Sequence, residues 1–518
     1  MDILDYTFWA IVPALITIVL AIITKEVVLS MSVGIGAGCM LMADMNPVNA
    51  IVDVIHVLVG TIDDAGNFLP GSITSEENAL IILLMLLEGA MIGLFIKSGG
   101  SAAFAKFLLN RVNTEKKTLF TTMLFSVAFM FDDYFAMLTN SAITREVSDK
   151  NLVSREKYAY VLDSTTFALC QISPISSWVA FICGLVGAGF VTAGVTGINP
   201  YQLFLTSVPN NFYAITALVF ITLVIAFGLN IGPMAKAQRR TEKTHKLCDN
   251  EFGGEEDEYA SIKVADNGTV LDLVIPIVVL IGTIVAFMLM TGGFFTSFSF
   301  ADAISHMEGI KGMTMGFIVS LVFMIIYMAA RHKGTMAELI DAAFVGGKSM
   351  AYGIAVLAMG WSLGSIANEL GATEFVISVF DGNIAPELIP VVVFVVCAGI
   401  AVAMGGDWIT YAMMIPIIIP VAVATDASLA MCLTAVIGGG ALGANCSPVA
   451  DATIIASMGA NLSIIDHVKT QAPLAVICGI IAILAYLAEG IIGTVLAGYA
   501  VIAVLLAAIM ILLNRSKV

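Results

Sequence analysis

Phe131-Asp132-Asp133-Tyr134 is followed, further along the chain, by Ser173-Pro174; Gly405-Gly406-Asp407-Trp408 is followed in the same way by Ser447-Pro448. The aspartate and the Ser-Pro pair are displaced by one and the same interval, since 407 − 133 equals 447 − 173. An aspartate beside an aromatic ring, then a Ser-Pro break, both set in apolar sequence, is costly to keep even once. Kept twice at one displacement, it points to a membrane protein made of two copies of one unit, with its site where the copies meet.

The composition agrees. The chain has 518 residues, 59% hydrophobic and 12% charged, with a mean hydropathy of +0.98, whereas soluble domains carry about 25% charged residues. The first apolar run, Phe8 to Thr24, follows Asp2 and Asp5 rather than a basic segment, and no Ala-x-Ala site comes after it. It therefore reads as a retained transmembrane helix, not a cleaved signal. Eight cysteines stand singly, with no CxxC pair and no histidine at ligand spacing, which argues against a disulfide framework or a zinc site. The net charge of −16 is mostly loop acid, and no nucleic-acid partner is expected.

About 20 apolar residues span the hydrocarbon core. Candidate crossings are 7–24, 27–44, 79–96, 157–190, 212–232, 271–291, 313–330, 351–369, 428–458, 472–488 and 491–513. Stretches 118–144 and 389–424, with Asp133 and Asp407 near their middles, read as re-entrant hairpins that enter and leave on one side. With the N-terminus outside, this arrangement puts 22 of the 23 basic residues inside, all but Lys311, as the positive-inside rule asks. A full crossing at 118–144 would expel Arg145 to Lys157.

The expected fold is thus an all-α polytopic membrane protein with about 11 transmembrane helices plus two re-entrant hairpins, in two inverted-topology repeats with broken helices. Residues 1–232 form the first repeat (hairpin 118–144, broken helix 157–190) and 233–270 a cytoplasmic linker. Residues 271–488 form the second repeat (hairpin 389–424, broken helix 428–458), and 489–518 an extra C-terminal helix that is a candidate homodimer contact. Gly89/Gly93 and Gly360/Gly364 repeat a Gly-x-x-x-Gly spacing across the two halves. Stretches 46–60, 98–112 and 335–348 have the mixed polarity of interfacial helices. The expected location is a bacterial-type plasma (inner) membrane, with the C-terminus and the linker cytoplasmic.

Ionisable groups inside a bilayer are functional candidates by default. The apolar segments hold Glu88, Asp132, Asp133, Asp163, Asp407 and Asp451, with no Lys or Arg at comparable depth. Six acids without an internal base are either protonated or face a mobile cation. Pro174 and Pro448 remove backbone donors and interrupt their helices. The freed carbonyls, with Ser173, Ser176, Ser177, Asn445, Ser447 and Thr453, supply hard oxygen ligands for Na+ in the Asp133/Ser173 and Asp407/Ser447 regions. Glu88, without an acidic partner in the repeat, reads as a proton carrier or a structural acid. Tyr134, Trp178, Trp361 and Trp408 read as packing residues, and His467 as a structural residue at the inner boundary.

These motifs also carry a resemblance. The run Phe131-Asp132-Asp133-Tyr134-Phe135, then Val153-Ser154-Arg155-Glu156-Lys157-Tyr158-Ala159-Tyr160 and Asp163-Ser164-Thr165, then Pro174-Ile175-Ser176-Ser177-Trp178, resembles the signature of the NhaC-type Na+/H+ antiporter family in the ion transporter superfamily. Asn445-Cys446-Ser447-Pro448-Val449-Ala450-Asp451-Ala452-Thr453 and Asp466-His467-Val468-Lys469-Thr470-Gln471-Ala472-Pro473 resemble its second half. The resemblance implies inverted repeats with paired hairpins and broken helices. Departures at Ala136, at Thr166-Phe167-Ala168 and at Ala444-Asn445 flank the site and bear on the substrate.

The leading expectation is a secondary transporter, not an enzyme, exchanging Na+ for H+ by alternating access. It needs no cofactor, since Na+ and H+ are cargo or coupling ions, and its surroundings are the lipid bilayer. The alternative is Na+-coupled carriage of a zwitterionic amino acid or a small carboxylate. A passive cation channel fits less well, because a channel has no need of an inverted repeat with two breaks.

Overall fold

The computed structural model describes residues 8–515 apart from 25–26, 63–65, 110, 253–260, 299–302, 304–306, 372–384, 405 and 449. The chain opens with α1 (Val12–Thr24), α2 (Val27–Met42) and α3 (Pro47–Val59). The last two meet at a 118° bend, where Asn46 accepts from the Val48 and Asn49 amides and Pro47 occupies the first turn. A short antiparallel pair, Gly60–Ile62 with Phe68–Pro70, leads to α4 (Glu76–Ser98) and α5 (Gly100–Leu108).

Next come α6 (Glu115–Ala128), α7 (Asp133–Lys150), α8 (Arg155–Ile172) and α9 (Ser177–Ala193). Then follow α10 (Pro200–Ser207), α11 (Phe212–Phe227) and α12 (Gly232–Thr244), and after the linker α13 (Leu271–Thr291), α14 (Gly309–Ala330), α15 (Met336–Ser349) and α16 (Ala351–Glu369). The chain closes with α17 (Ile389–Met404), α18 (Asp407–Ala424), α19 (Leu429–Cys446), α20 (Asp451–Ala460), α21 (Ile464–Ile492) and α22 (Val495–Arg515).

The repeat is explicit in these boundaries. Helices begin at 115, 133, 155 and 177, and again at 389, 407, 429 and 451, every start shifted by the interval that carries Asp133 onto Asp407. Each expected hairpin is a pair of packed helices broken just before its aspartate, and each expected broken helix is two helices separated at Ser-Pro.

By length and composition, nine helices among the described residues can cross a bilayer, or ten if the bent pair α2–α3 counts as one span. The figure falls below eleven partly because pieces of broken helices, such as Trp178–Ala193, are too short alone. One expectation changes in kind. Stretch 335–348 is not a separate interfacial helix: Met336–Ala367 makes one span of 32 residues. Its polar Glu338, Asp341 and Lys348 gave it an interfacial look.

The two copies exchange arms. Helix α7 of the first packs against α20 of the second, and α18 of the second packs against α9 of the first. Around this centre, α11 and α21 pack on α8 and α19, while α16 lies across α9 and α18. The linker is tied to both copies. Arg240 on α12 donates two bonds to Glu156 of α8 (3.0 and 2.9 Å) and one to Asp249 (2.9 Å), and the Asn250 amide side chain donates to Asp466 at the start of α21 (2.7 Å). Lys246 and Arg240 together hold the Asp249 carboxyl below its ordinary range.

The two Gly-x-x-x-Gly pairs have different partners. Gly360 and Gly364 face Ala412 and Pro416 of α18, whereas Gly89 and Gly93 bring α4 against the backbone of α15 at Gly346 and Ala342. A side-chain carbon at Gly93 would collide with the Ala342 carbonyl oxygen. Gly93→Val should therefore destabilise the fold by roughly 3 kcal/mol, measured as a lowered unfolding midpoint in detergent. Gly36→Ala, where nothing lies within 4 Å, should leave it unmoved. Equal midpoints for the two variants would remove the close approach from this account.

Candidate functional site

Four half-helices start at the centre, at Asp133, Ser177, Asp407 and Asp451. The repeat pairs Asp133 with Asp407 and Ser177 with Asp451. A helix start presents unpaired N–H groups and the positive end of the dipole, so an acid in the first turn is favoured there. The exchanged arms bring these starts together. Tyr134, next to Asp133 on α7, donates its hydroxyl to Asp451 Oδ2 of α20. Trp408, at the equivalent position on α18, instead packs edge-on against Trp178 and Phe181 of α9, with ring centroids 5.6 and 4.5 Å apart.

Asp133 and Asp407 are 1% and 0% exposed. Among the described residues, Asp133 Oδ2 and both oxygens of Asp407 have no hydrogen-bond partner. The Trp178 indole lies beside Asp133, and the amides of Asp407 and Trp408 lie close to the Asp407 carboxyl. Asp133 is within electrostatic reach of Asp132, Asp407 and Asp451, and Asp407 of Asp451 and Asp163. Buried carboxylates that crowd one another without a base must be neutralised by a proton or a cation.

Glu88 of α4 joins this group. It is 1% exposed, neither oxygen has a partner among the described residues, and it lies within reach of Asp132 and Asp133. The structure thus brings together Glu88, Asp132, Asp133, Asp407 and Asp451.

At the breaks, the hydroxyls meet the freed carbonyls. Ser176 donates to the Cys170 carbonyl (2.8 Å), and Thr453 donates to the Ala444 carbonyl (3.1 Å). Cys170 and Ala444 are equivalent positions of the two copies, yet the hydroxyls that reach them are not. Ser173 Oγ accepts from the Ile175 amide (3.3 Å), and Ser447 donates to the Val402 carbonyl (3.1 Å). The Pro174 carbonyl accepts from Tyr201 (2.8 Å), while the Pro448 side chain is exposed. Ser177 is described only as the first residue of α9. These hydroxyls tie the chain at the breaks through its own backbone groups.

Asp163 and Asn445 belong to a neighbouring network that the sequence reading did not assemble. Gln471 of α21 donates to Asp163 Oδ2 (2.7 Å) and to the Asn445 carbonyl (3.3 Å), and Asn445 donates to the Tyr213 hydroxyl (2.9 Å). His467, read as a boundary residue, is fully buried. It lies 3.4 Å from Asp163 and bonds Ser457 (2.9 Å) and Gln471 (2.8 Å). The available signal was the spacing of His467 and Gln471, four apart on one helix face. Tyr134 and Trp178, read as packing residues, line the acid site itself, while Trp408 packs on Trp178 and Phe181 as a packing residue does.

A cavity of about 370 Å³ lies between α4–α5, α7, α20 and Val264. It is lined by Leu138, Ser141, Arg145, Met458 and Gly459 among others, and Arg145 donates to the Gly459 carbonyl (3.3 Å). Leu138 and Arg145 lie roughly 8 and 18 Å along α7 from Asp133, at about 1.5 Å per residue.

Comparison with known proteins bears on this geometry. The model of a family described as the Na+/H+ antiporter family matches residues 169–491. A Haemophilus influenzae protein described as uncharacterized is 32% identical over 99% of this chain and 97% of its own length. Among solved structures, Neisseria gonorrhoeae MtrF, presented as illuminating a class of antimetabolite efflux pumps, aligns with a TM-score of 0.53 at 13% identity. That match covers 86% of this chain and 85% of MtrF. The Alcanivorax borkumensis YdaH transporter aligns with a TM-score of 0.54 at 12% identity, over 88% of this chain and 99% of that one. At such identities the two structures establish a shared fold.

Proposed function

The chain belongs to the Na+/H+ antiporter family, and from that premise we propose that it exchanges Na+ for H+ across a bacterial-type plasma membrane by alternating access. The observation that carries this reading is the pair Asp133 and Asp407. They are equivalent acids, wholly buried, with carboxylate oxygens left unpartnered among the described residues. Such acids hold Na+ and H+ by turns, since a desolvated carboxylate needs one cation or the other. Asp451, held by Tyr134, adds negative charge to the same centre. Glu88 and Asp132 lie where a proton carrier to Asp133 belongs. The breaks at Ser173-Pro174 and Ser447-Pro448, shaped by Ser176, Asn445 and Thr453, let the half-helices meet at the ion. Asp163, bonded to Gln471 and His467, stands outside the cation set.

The N-terminus is placed outside, with the C-terminus and the 233–270 loop in the cytoplasm, because that orientation leaves only Lys311 of the basic residues outside. A second reading, Na+-coupled carriage of an amino acid or small carboxylate, is favoured by one observation: Arg145, a cation, at the wall of the 370 Å³ cavity along α7.

Reconstituted vesicles separate the two. An imposed Na+ gradient should move lumenal pH with no organic solute present, and should drive no uptake of labelled amino acids or small carboxylates. Uptake of one such solute with no solute-free pH change would replace the first reading by the second.

A further inference from the structure

The exchanged arms make two equivalent seams. Helix α7 lies on α20, and the interval that relates the copies carries this pair onto α18 and α9, which also pack together. Along the first seam, Tyr134, Leu138 and Arg145 fall on one face of α7, and Asp451, Ile455 and Met458 on one face of α20. Leu138, Arg145 and Met458 border the 370 Å³ cavity. Val264 of the linker is another of its walls, so the cavity lies on the linker's side of the membrane. Deeper along the same two faces, Tyr134 and Asp451 bond to each other. Both lie deep among protein atoms and yet keep surface that water can touch, as does Ile455 between Asp451 and Met458. Asp133 and Asp407, by contrast, are sealed.

The second seam is packed shut. The counterparts of Leu138, Ser141 and Arg145 are Ala412, Ile415 and Ile419, and that of Ile455 is Phe181; all four are 1% exposed or less. Trp408, the counterpart of Tyr134, lies edge-on against Phe181 with ring centroids 4.5 Å apart. Gly189 is pressed so close to Ile419 that a side-chain carbon on it would sit 2.8 Å from the Ile419 Cβ. The equivalent position in the first seam is looser: Arg145 is exposed and turns to the Gly459 carbonyl.

We propose that these seams are the two cation passages of the transporter, and that the state described here is the one open toward the linker's side. The passage along α7 and α20 runs from the cavity to the Tyr134–Asp451 bond, which closes its deep end in front of the sealed acids. The passage along α18 and α9 serves the opposite side of the membrane and is shut, with Trp408 on Phe181 where the first seam has Tyr134 on Asp451. In an inverted repeat the two seams exchange these packings, and that exchange moves access to the acids from one side to the other. Tyr134 and Trp408 are then positioning residues, each closing one passage.

The inference rests on the alternating access of the reading above, and thiol labelling tests it without a transport assay. Leu138→Cys and Ala412→Cys place one cysteine at equivalent points of the two seams. A membrane-impermeant cationic thiol reagent is applied from each face of the membrane, and labelling is counted over that of the wild type, whose cysteines other than Cys446 are buried. Leu138→Cys should label from the linker's face, several-fold faster than from the other. Ala412→Cys should label from the opposite face alone, and slowly. Adding Gly189→Val wedges the shut seam, and should speed labelling of Ala412→Cys several-fold while slowing that of Leu138→Cys, because one passage opens as the other closes. Gly189→Ala carries a smaller wedge should the valine variant not fold. Labelling of both positions from one face, no labelling of Ala412→Cys even with the wedge, or a wedge that leaves Leu138→Cys unslowed would overturn the two passages. Reciprocal labelling without any Na+-driven change of lumenal pH would overturn the antiport reading and leave the passages standing.

Discussion

Asp407→Asn is expected to reduce Na+-driven proton movement to the background of protein-free vesicles while leaving the protein at least as stable as the wild type. The size follows from charge. Taking the carboxylate from a desolvated cation site costs about 3 kcal/mol or more, roughly a hundredfold in affinity. The stability follows from hydrogen bonding. Neither Asp407 oxygen has a hydrogen-bond partner among the described residues, and the side chain is 0% exposed, so the amide gives up no bond and buries no charge. The same pairing of lost exchange with an unmoved unfolding midpoint is expected for Asp133→Asn. Near-normal Na+ dependence in either variant would end the paired-acid account, and a fall in midpoint would mean that the acid is structural.

Asp272→Ala is the opposite case, a large loss of stability far from the ion site. Asp272 opens α13 and is 0% exposed. It accepts from Arg331 (3.1 Å) and from the Thr269 amide and hydroxyl (both 2.7 Å), and pairs with Lys333 at 2.6 Å. The Lys333 side chain is only 1% exposed. Removing the carboxylate strands that ammonium on its bond to the Asn267 carbonyl, and breaking a buried pair from one side costs about 3–5 kcal/mol. Thermal unfolding in detergent should show the drop. Asp272→Ala with Lys333→Met should recover much of it, because the stranded charge is then gone. A single variant as stable as the wild type would mean that water reaches Lys333.

Much of the fold was legible because a membrane interior leaves few options. Apolar runs of span length, prolines that cannot donate and acids with no base nearby each carry one physical reading in hydrocarbon. The common displacement of Asp133 and Ser173 onto Asp407 and Ser447 implied that the two copies share their helix boundaries, and four pairs of helix starts obey it. Where polarity was mixed the reading slipped. Glu338, Asp341 and Lys348 suggested a surface helix, but that stretch continues into α16 as one long span.

By itself, then, the sequence determined the class of machine, its two-fold construction, the acids at its centre and the positions of its breaks, because these are local consequences of residue type in an apolar solvent. Only the tertiary structure decided which pieces meet. The arms are exchanged, so Asp133 sits beside Trp178 but Tyr134 serves Asp451, and Trp408 covers Trp178 rather than an acid. His467 and Asp163, far apart along the chain, become one buried pair. Spacing along a chain cannot report such contacts, because packing between helices is set by which faces fit and which polar groups remain to be satisfied, and both are properties of the assembled fold.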